Sequence, residues 1–131
     1  ETSHVLPALI RKFHEAKEKN KSEVIIWGSG TPKREFLYVD DLANAVIFAL
    51  ENKLDESLYN VGSGDEISIK ALADLIKSII SFDGKIEWDS NKPDGTLRKL
   101  LDSSIFQSIS DWKPKVNLED GIKRTYKNYY D

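Results

Sequence analysis

Trp27-Gly-Ser-Gly-Thr-Pro-Lys-Arg-Glu-Phe-Leu-Tyr-Val-Asp-Asp41 joins two strands to a helix within one short stretch. The apolar run Val24-Ile25-Ile26-Trp27 leads into it and reads as a buried strand. Gly28, Gly30 and Pro32 then reverse the backbone. Lys33 and Arg34 emerge at the start of a second strand, Glu35–Val39, marked by β-branched and aromatic residues. Asp40 or Asp41 caps a helix reaching about Asn52, with Leu42, Ala45, Val46, Phe48 and Ala49 on its inward face. A Gly-x-Gly after a strand invites comparison with a dinucleotide fingerprint, but the third glycine is absent. The chain also continues as turn and strand rather than helix, so punctuation is the better reading. A guanidinium at the strand's start can grip a diphosphate with two parallel hydrogen bonds.

Outward from this stretch, Val5–Asn20 is an amphipathic helix with Leu6, Leu9, Ile10, Phe13 and Ala16 on one face. Pro7 falls in its first turn, where the missing N–H costs nothing. Leu58–Val61 reads as a strand stopped by Gly62-Ser-Gly64. Ser68 caps a helix over Ile69–Ser81, with Leu72, Leu75, Ile76 and Ile79 at helical spacing. Lys85–Trp88 is a strand, Asp89–Arg98 a long polar loop, Lys99–Asp102 a short extended piece, and Ser103–Ser108 a short helix. Asn117 caps a last helix, Leu118–Tyr130, whose apolar stripe is Ile122, Tyr126 and Tyr129. Helices and short strands mix without regular βαβ alternation, which predicts an α+β (mixed α/β) domain.

At 131 residues the chain is one domain's worth, 1–131, with ordinary apolar (40%) and charged (31%) shares. A net charge of −3 leaves no basic face for nucleic acid. With no cysteine there is no disulfide or Cys metal site, and no apolar run approaches the ~20 residues of a membrane helix. Together with the absence of a signal-like start, this predicts a cytoplasmic protein. The chain has no methionine and begins Glu1-Thr2-Ser3, as expected of a piece of something longer.

Few residues offer chemistry. His14 stands among Lys12, Glu15 and Lys17 and reads as a solvated histidine. His4 precedes the first helix; it suits a general acid near neutral pH, and equally a frayed end beside an N-cap. Two histidines without a carboxylate at ligand spacing predict no metal. The loop Asn91-Lys-Pro-Asp-Gly-Thr-Leu-Arg-Lys99 is by default a surface turn. Its Asp and cations also suit a hydroxyl-rich, phosphorylated ligand. Trp27 fits either the core or the face of a planar base.

Four segments together resemble the GDP-L-fucose synthase family of the extended short-chain dehydrogenase superfamily. They are Ser3–Ala16, the Trp27–Asp41 stretch, Asn60-Val-Gly-Ser-Gly64 and Lys92-Pro-Asp-Gly-Thr…Arg-Lys-Leu-Leu-Asp102. The resemblance runs in order from Ser3 to the C-terminus. The family's Gly-rich Rossmann half and its Tyr-x-x-x-Lys pair have no counterpart, so the chain resembles the small C-terminal sugar-nucleotide-binding half, with residues 1–5 as linker.

The resemblance implies an NADP-dependent enzyme that epimerises C3 and C5 and reduces C4 of GDP-4-keto-6-deoxy-D-mannose, giving GDP-L-fucose. It implies NADP(H) held mainly by the missing half, a homodimer formed through that half, and an isolated chain that is inactive. His4 matches the family's histidine beside the cofactor, the proposed acid of epimerisation. Lys12 matches a basic substrate position, Trp27 the tryptophan on the nucleotide-sugar, Arg34 the arginine on its diphosphate, and Asp94 the substrate-contacting aspartate. Lys92 is a further substrate-binding candidate. Two other readings remain: the substrate domain of another sugar-nucleotide epimerase or dehydratase, and a non-catalytic nucleotide-sugar-binding module.

Overall fold

A computed structural model describes residues 4–55 and 58–130; residues 1–3 of the expected linker lie outside these. The order is α1 (Val5–Glu18), β1 (Glu23–Trp27), β2 (Lys33–Glu35), α2 (Val39–Glu51), β3 (Glu66–Ser68), α3 (Ile69–Ile80), β4 (Lys85–Asp89), β5 (Arg98–Lys99), α4 (Ser104–Ile109) and α5 (Leu118–Tyr130). The strands form two small sheets. In one, β1 pairs in parallel with β4, Val24 opposite Ile86 and Trp27 opposite Asp89. In the other, β2 lies between antiparallel β3 and parallel β5. The mixed α+β expectation holds.

The core forms where α1 and α3 cover β1. Leu9, Phe13, Leu72, Ile76 and Ile80 are buried there, with the Phe13 and Phe82 rings 5.7 Å apart. Burying such side chains contributes on the order of 1.5–3 kcal/mol each. The ends are finished locally. Ser68 accepts a 3.1 Å hydrogen bond from the Ala71 N–H at the start of α3, and Lys17 Nζ donates over 2.7 Å to the Ile80 carbonyl at its end. Asn117 Oδ1 accepts from the Asp120 N–H at 2.9 Å, capping α5 as its sequence predicts. A second, aromatic cluster gathers Phe48, Tyr59 and Trp112 around buried Phe106.

Several local expectations change. The strand read as Glu35–Val39 ends at Glu35, where its pairing with β3 stops, and α2 begins at Val39. The residue before α2 is Tyr38, and no side chain caps the helix. Asp41 instead reaches across the fold: buried, it accepts from the Val116 N–H at 3.0 Å, while its carbonyl accepts from Trp112 Nε1 at 3.0 Å. Leu58–Val61 forms no strand, and β3 appears after the glycines instead. Leu42 and Val46, assigned inward, are exposed together with Ile47 and Leu50, and so is Tyr129 of α5. His14 is not merely solvated. It is half-buried, hydrogen-bonds Tyr126 Oη through Nδ1 at 3.0 Å and stacks on Tyr130 at 3.7 Å.

Candidate functional site

The site is built where two segments far apart in sequence run side by side. β1 alternates, burying Val24 and Ile26 and turning Ile25 and Trp27 outward. Trp27 is 64% exposed, which removes the core reading left open for it. Lys12 Nζ stands 5.9 Å and Lys92 Nζ 5.3 Å from the Trp27 ring centroid, within the range of cation–π attraction. Lys12 also donates to the Ile25 carbonyl at 3.1 Å. Two expected site residues, one from a helix and one from a loop, thus converge on the indole of a third at a strand end.

Beyond Trp27 the Gly28–Pro32 turn faces the loop that leaves β4. Gly28 sits at φ +85°, and a side chain there would collide with the Asp94 carboxylate. That carboxylate takes the Ser29 N–H on Oδ1 at 2.6 Å and the Ser29 hydroxyl on Oδ2 at 2.8 Å. The Ser29 backbone N–H, and then its hydroxyl, hold the Asp94 acid below its ordinary value of 3.8 by favouring the charged form. Farther along, the Lys33 N–H donates to the Leu97 carbonyl at 2.8 Å, and β2 then pairs with β5.

Arg34 connects this wall to a cavity of about 790 Å³, a size that suits a small-molecule ligand. Its guanidinium donates to the Lys33 carbonyl at 2.7 Å, and Nη2 lies beside Gly95. The cavity is bounded by His4 to Pro7, Arg34 to Val39, and α5 residues including Gly121 and Ile122. His4 is exposed at the N-cap position of α1, where its carbonyl accepts from the Ala8 N–H at 3.1 Å. His4 and Arg34 therefore share the cavity, while Lys12, Trp27, Lys92 and Asp94 form the adjoining wall.

Two contributors had no sequence signal beyond ordinary turn and strand chemistry. Ser29 stands inside a glycine turn. Glu35 fastens two further segments, its carboxylate accepting from the Gly64 N–H at 2.7 Å and the Leu101 N–H at 3.1 Å.

Gly28-x-Gly30 leads into β2 and Gly62-x-Gly64 into β3. Neither opens a helix whose N-terminus can take a pyrophosphate, so the described residues do not build a dinucleotide cradle. No group of three or more His, Cys, Asp or Glu among them can hold a metal ion, and no helix among them is long and apolar enough to cross a membrane.

Residues 1–62 match the NAD dependent epimerase/dehydratase family. The chain is 58% identical over all 131 residues to the Oryza sativa subsp. japonica protein named "Probable GDP-L-fucose synthase 1", covering 40% of that protein. The NADP-bound GDP-mannoheptose C4 reductase of Campylobacter jejuni superposes with a TM-score of 0.85 at 36% identity, over 100% of this chain and 46% of that one. A GDP-L-fucose synthetase from Naegleria fowleri gives 0.89 at 30% identity, over 96% and 39%. The chain thus spans about 40% of the length of the curated relatives it matches. Throughout that span it is similar to proteins named GDP-L-fucose synthase, and its first 62 residues match the NAD dependent epimerase/dehydratase family.

Proposed function

We propose that the chain is the GDP-sugar-binding portion of an NADP-dependent GDP-L-fucose synthase acting on GDP-4-keto-6-deoxy-D-mannose. The observation that carries this reading is the convergence of Lys12 and Lys92 on the ring of exposed Trp27, next to the cavity of Arg34 and His4. An indole offers a planar base a stacking surface, and the two ammonium groups and the guanidinium match a diphosphate. Asp94 spends one lone pair of each oxygen on Ser29 and keeps the others for sugar hydroxyls.

Epimerisation at C3 and C5 needs a proton taken from and returned to carbon beside the C4 ketone. His4 is the residue of this chain assigned to that delivery, because an imidazole exchanges protons near neutral pH. Bound NADPH supplies the hydride for C4. The described residues build no dinucleotide cradle, and we assign the cofactor, and with it the dimer contact, to the part of the relatives' length beyond this chain.

The test is oxidation of NADPH dependent on the 4-keto sugar, in a protein carrying this chain together with that remaining length. The 131-residue chain alone is expected to show none. No turnover by the longer protein would overturn the enzymatic reading, and GDP-sugar binding without turnover would favour a binding module.

A further inference from the structure

We infer that Ser29 is a positioning residue of the GDP-sugar wall, a clasp that holds Asp94 and thereby sets Lys92 over Trp27 and Gly95 beside Arg34. The inference rests on the reading above and adds to it a residue that acts through Asp94. Every residue from Asn91 to Leu100 is exposed, so no core packing fixes this loop. It is tied at its start by the Asn91 N–H on Asp89 Oδ1 and the Lys92 N–H on the Asp89 carbonyl, each at 3.1 Å. At its end the Leu97 carbonyl accepts from Lys33. Between those ties, Asp94 is the described residue whose side chain fastens the loop, and it does so entirely through Ser29.

Ser29 is fully committed to this task. Its proton goes to Asp94 Oδ2, so its oxygen accepts, from the Thr31 N–H at 3.2 Å and from the Thr31 hydroxyl at 2.8 Å. One donor and two lone pairs are the whole capacity of a serine hydroxyl. The resulting Thr31–Ser29–Asp94 chain is polarised toward the carboxylate, which strengthens each link. Gly28 leaves the space that lets the carboxylate lie against the turn. Alanine at position 29 keeps the N–H contact to one oxygen and frees the other, so the loop can pivot and carry Lys92 away from the indole.

The experiment uses the longer protein, measuring GDP-sugar KM, kcat and melting temperature for Ser29→Ala, Ser29→Thr, Asp94→Ala and the Ser29→Ala/Asp94→Ala double variant, with Trp27→Ala alongside. Ser29→Ala is expected to raise KM about tenfold, equivalent to about 1.4 kcal/mol, with kcat and melting temperature nearly unchanged. Ser29→Thr, which keeps the hydroxyl, restores the affinity. The double variant is no worse than Asp94→Ala, because Ser29 acts through Asp94. Wild-type KM in Ser29→Ala overturns the clasp, as do additive losses in the double variant or a KM rise that only follows a lowered melting temperature. If Trp27→Ala weakens binding while Ser29→Ala does not, the clasp fails and the GDP-sugar reading survives. If wild type itself does not bind GDP-sugar, the reading itself fails.

Discussion

The ammonium of Lys92 stands 5.3 Å from the ring centroid of Trp27, across a gap in sequence bridged only by the folded wall. Because Trp27 is mostly exposed, Trp27→Ala should change stability by no more than about 0.5 kcal/mol. Losing a base-stacking surface should weaken GDP by about 1–3 kcal/mol, and Trp27→Phe should recover part of it. Calorimetric titration with GDP and thermal melts separate these effects; unchanged affinity in Trp27→Ala would remove the indole from the site.

Arg34 lines the cavity and has one terminal nitrogen already on the Lys33 carbonyl. Arg34→Ala should cost about 1.5–3 kcal/mol of GDP-sugar affinity, the worth of a charge-assisted hydrogen bond, and should act mainly on KM. Lysine should rescue only in part, since it lacks the planar fork. A KM equal to wild type would refute the assignment.

Asp41 predicts a stability effect away from any ligand. Asp41→Ala leaves the Val116 N–H without its acceptor in a half-buried setting, at about 1–3 kcal/mol. Asn retains an acceptor oxygen and should lose less. Denaturant unfolding of the two variants should show that order, with GDP affinity little altered.

The clasp has a pH signature of definite sign. The Asp94 acid lies below its ordinary 3.8 because Ser29 stabilises the carboxylate. Its contribution is therefore complete above that ordinary value and is lost as pH falls through the lower, folded value. Carbon NMR of the Asp94 carboxyl should give a midpoint under 3.8 in wild type. In Ser29→Ala the midpoint should move up; a wild-type midpoint above the ordinary value would contradict the geometry.

What could be read in advance follows the range over which each signal acts. The α1, α3 and α5 helices were legible because a 3.6-residue stripe and a cap such as Ser68 or Asn117 act within a few residues. The three-residue strands β2 and β3 were misplaced or missed because pairing Lys33 with Ser68 is decided by residues far apart. Periodicity gave α2 its apolar stripe but not what covers it, so Leu42 and Val46 were turned the wrong way. His14 was misread for the same reason: its partners sit on α5, at the other end of the chain. In the candidate site, Arg34 stood out by residue type, whereas Trp27 stayed between a core and a base-facing reading until its exposure removed the first. Ser29 did not stand out, because a serine between glycines is indistinguishable from punctuation until Asp94 is folded against it.

The loop beyond β4 is laced to its neighbour at a few points and buries none of its residues from Asn91 to Leu100, which makes it a replaceable part. Leu97 contributes its carbonyl while the residue is 71% exposed, and Lys92 is likewise exposed. Side chains at these positions can be exchanged while Asp89, Asp94 and the Leu97 carbonyl keep the path of the backbone. Exchanges on this strip therefore change what lies beside Trp27 and Arg34 while the α1–α3–β1 core is left untouched.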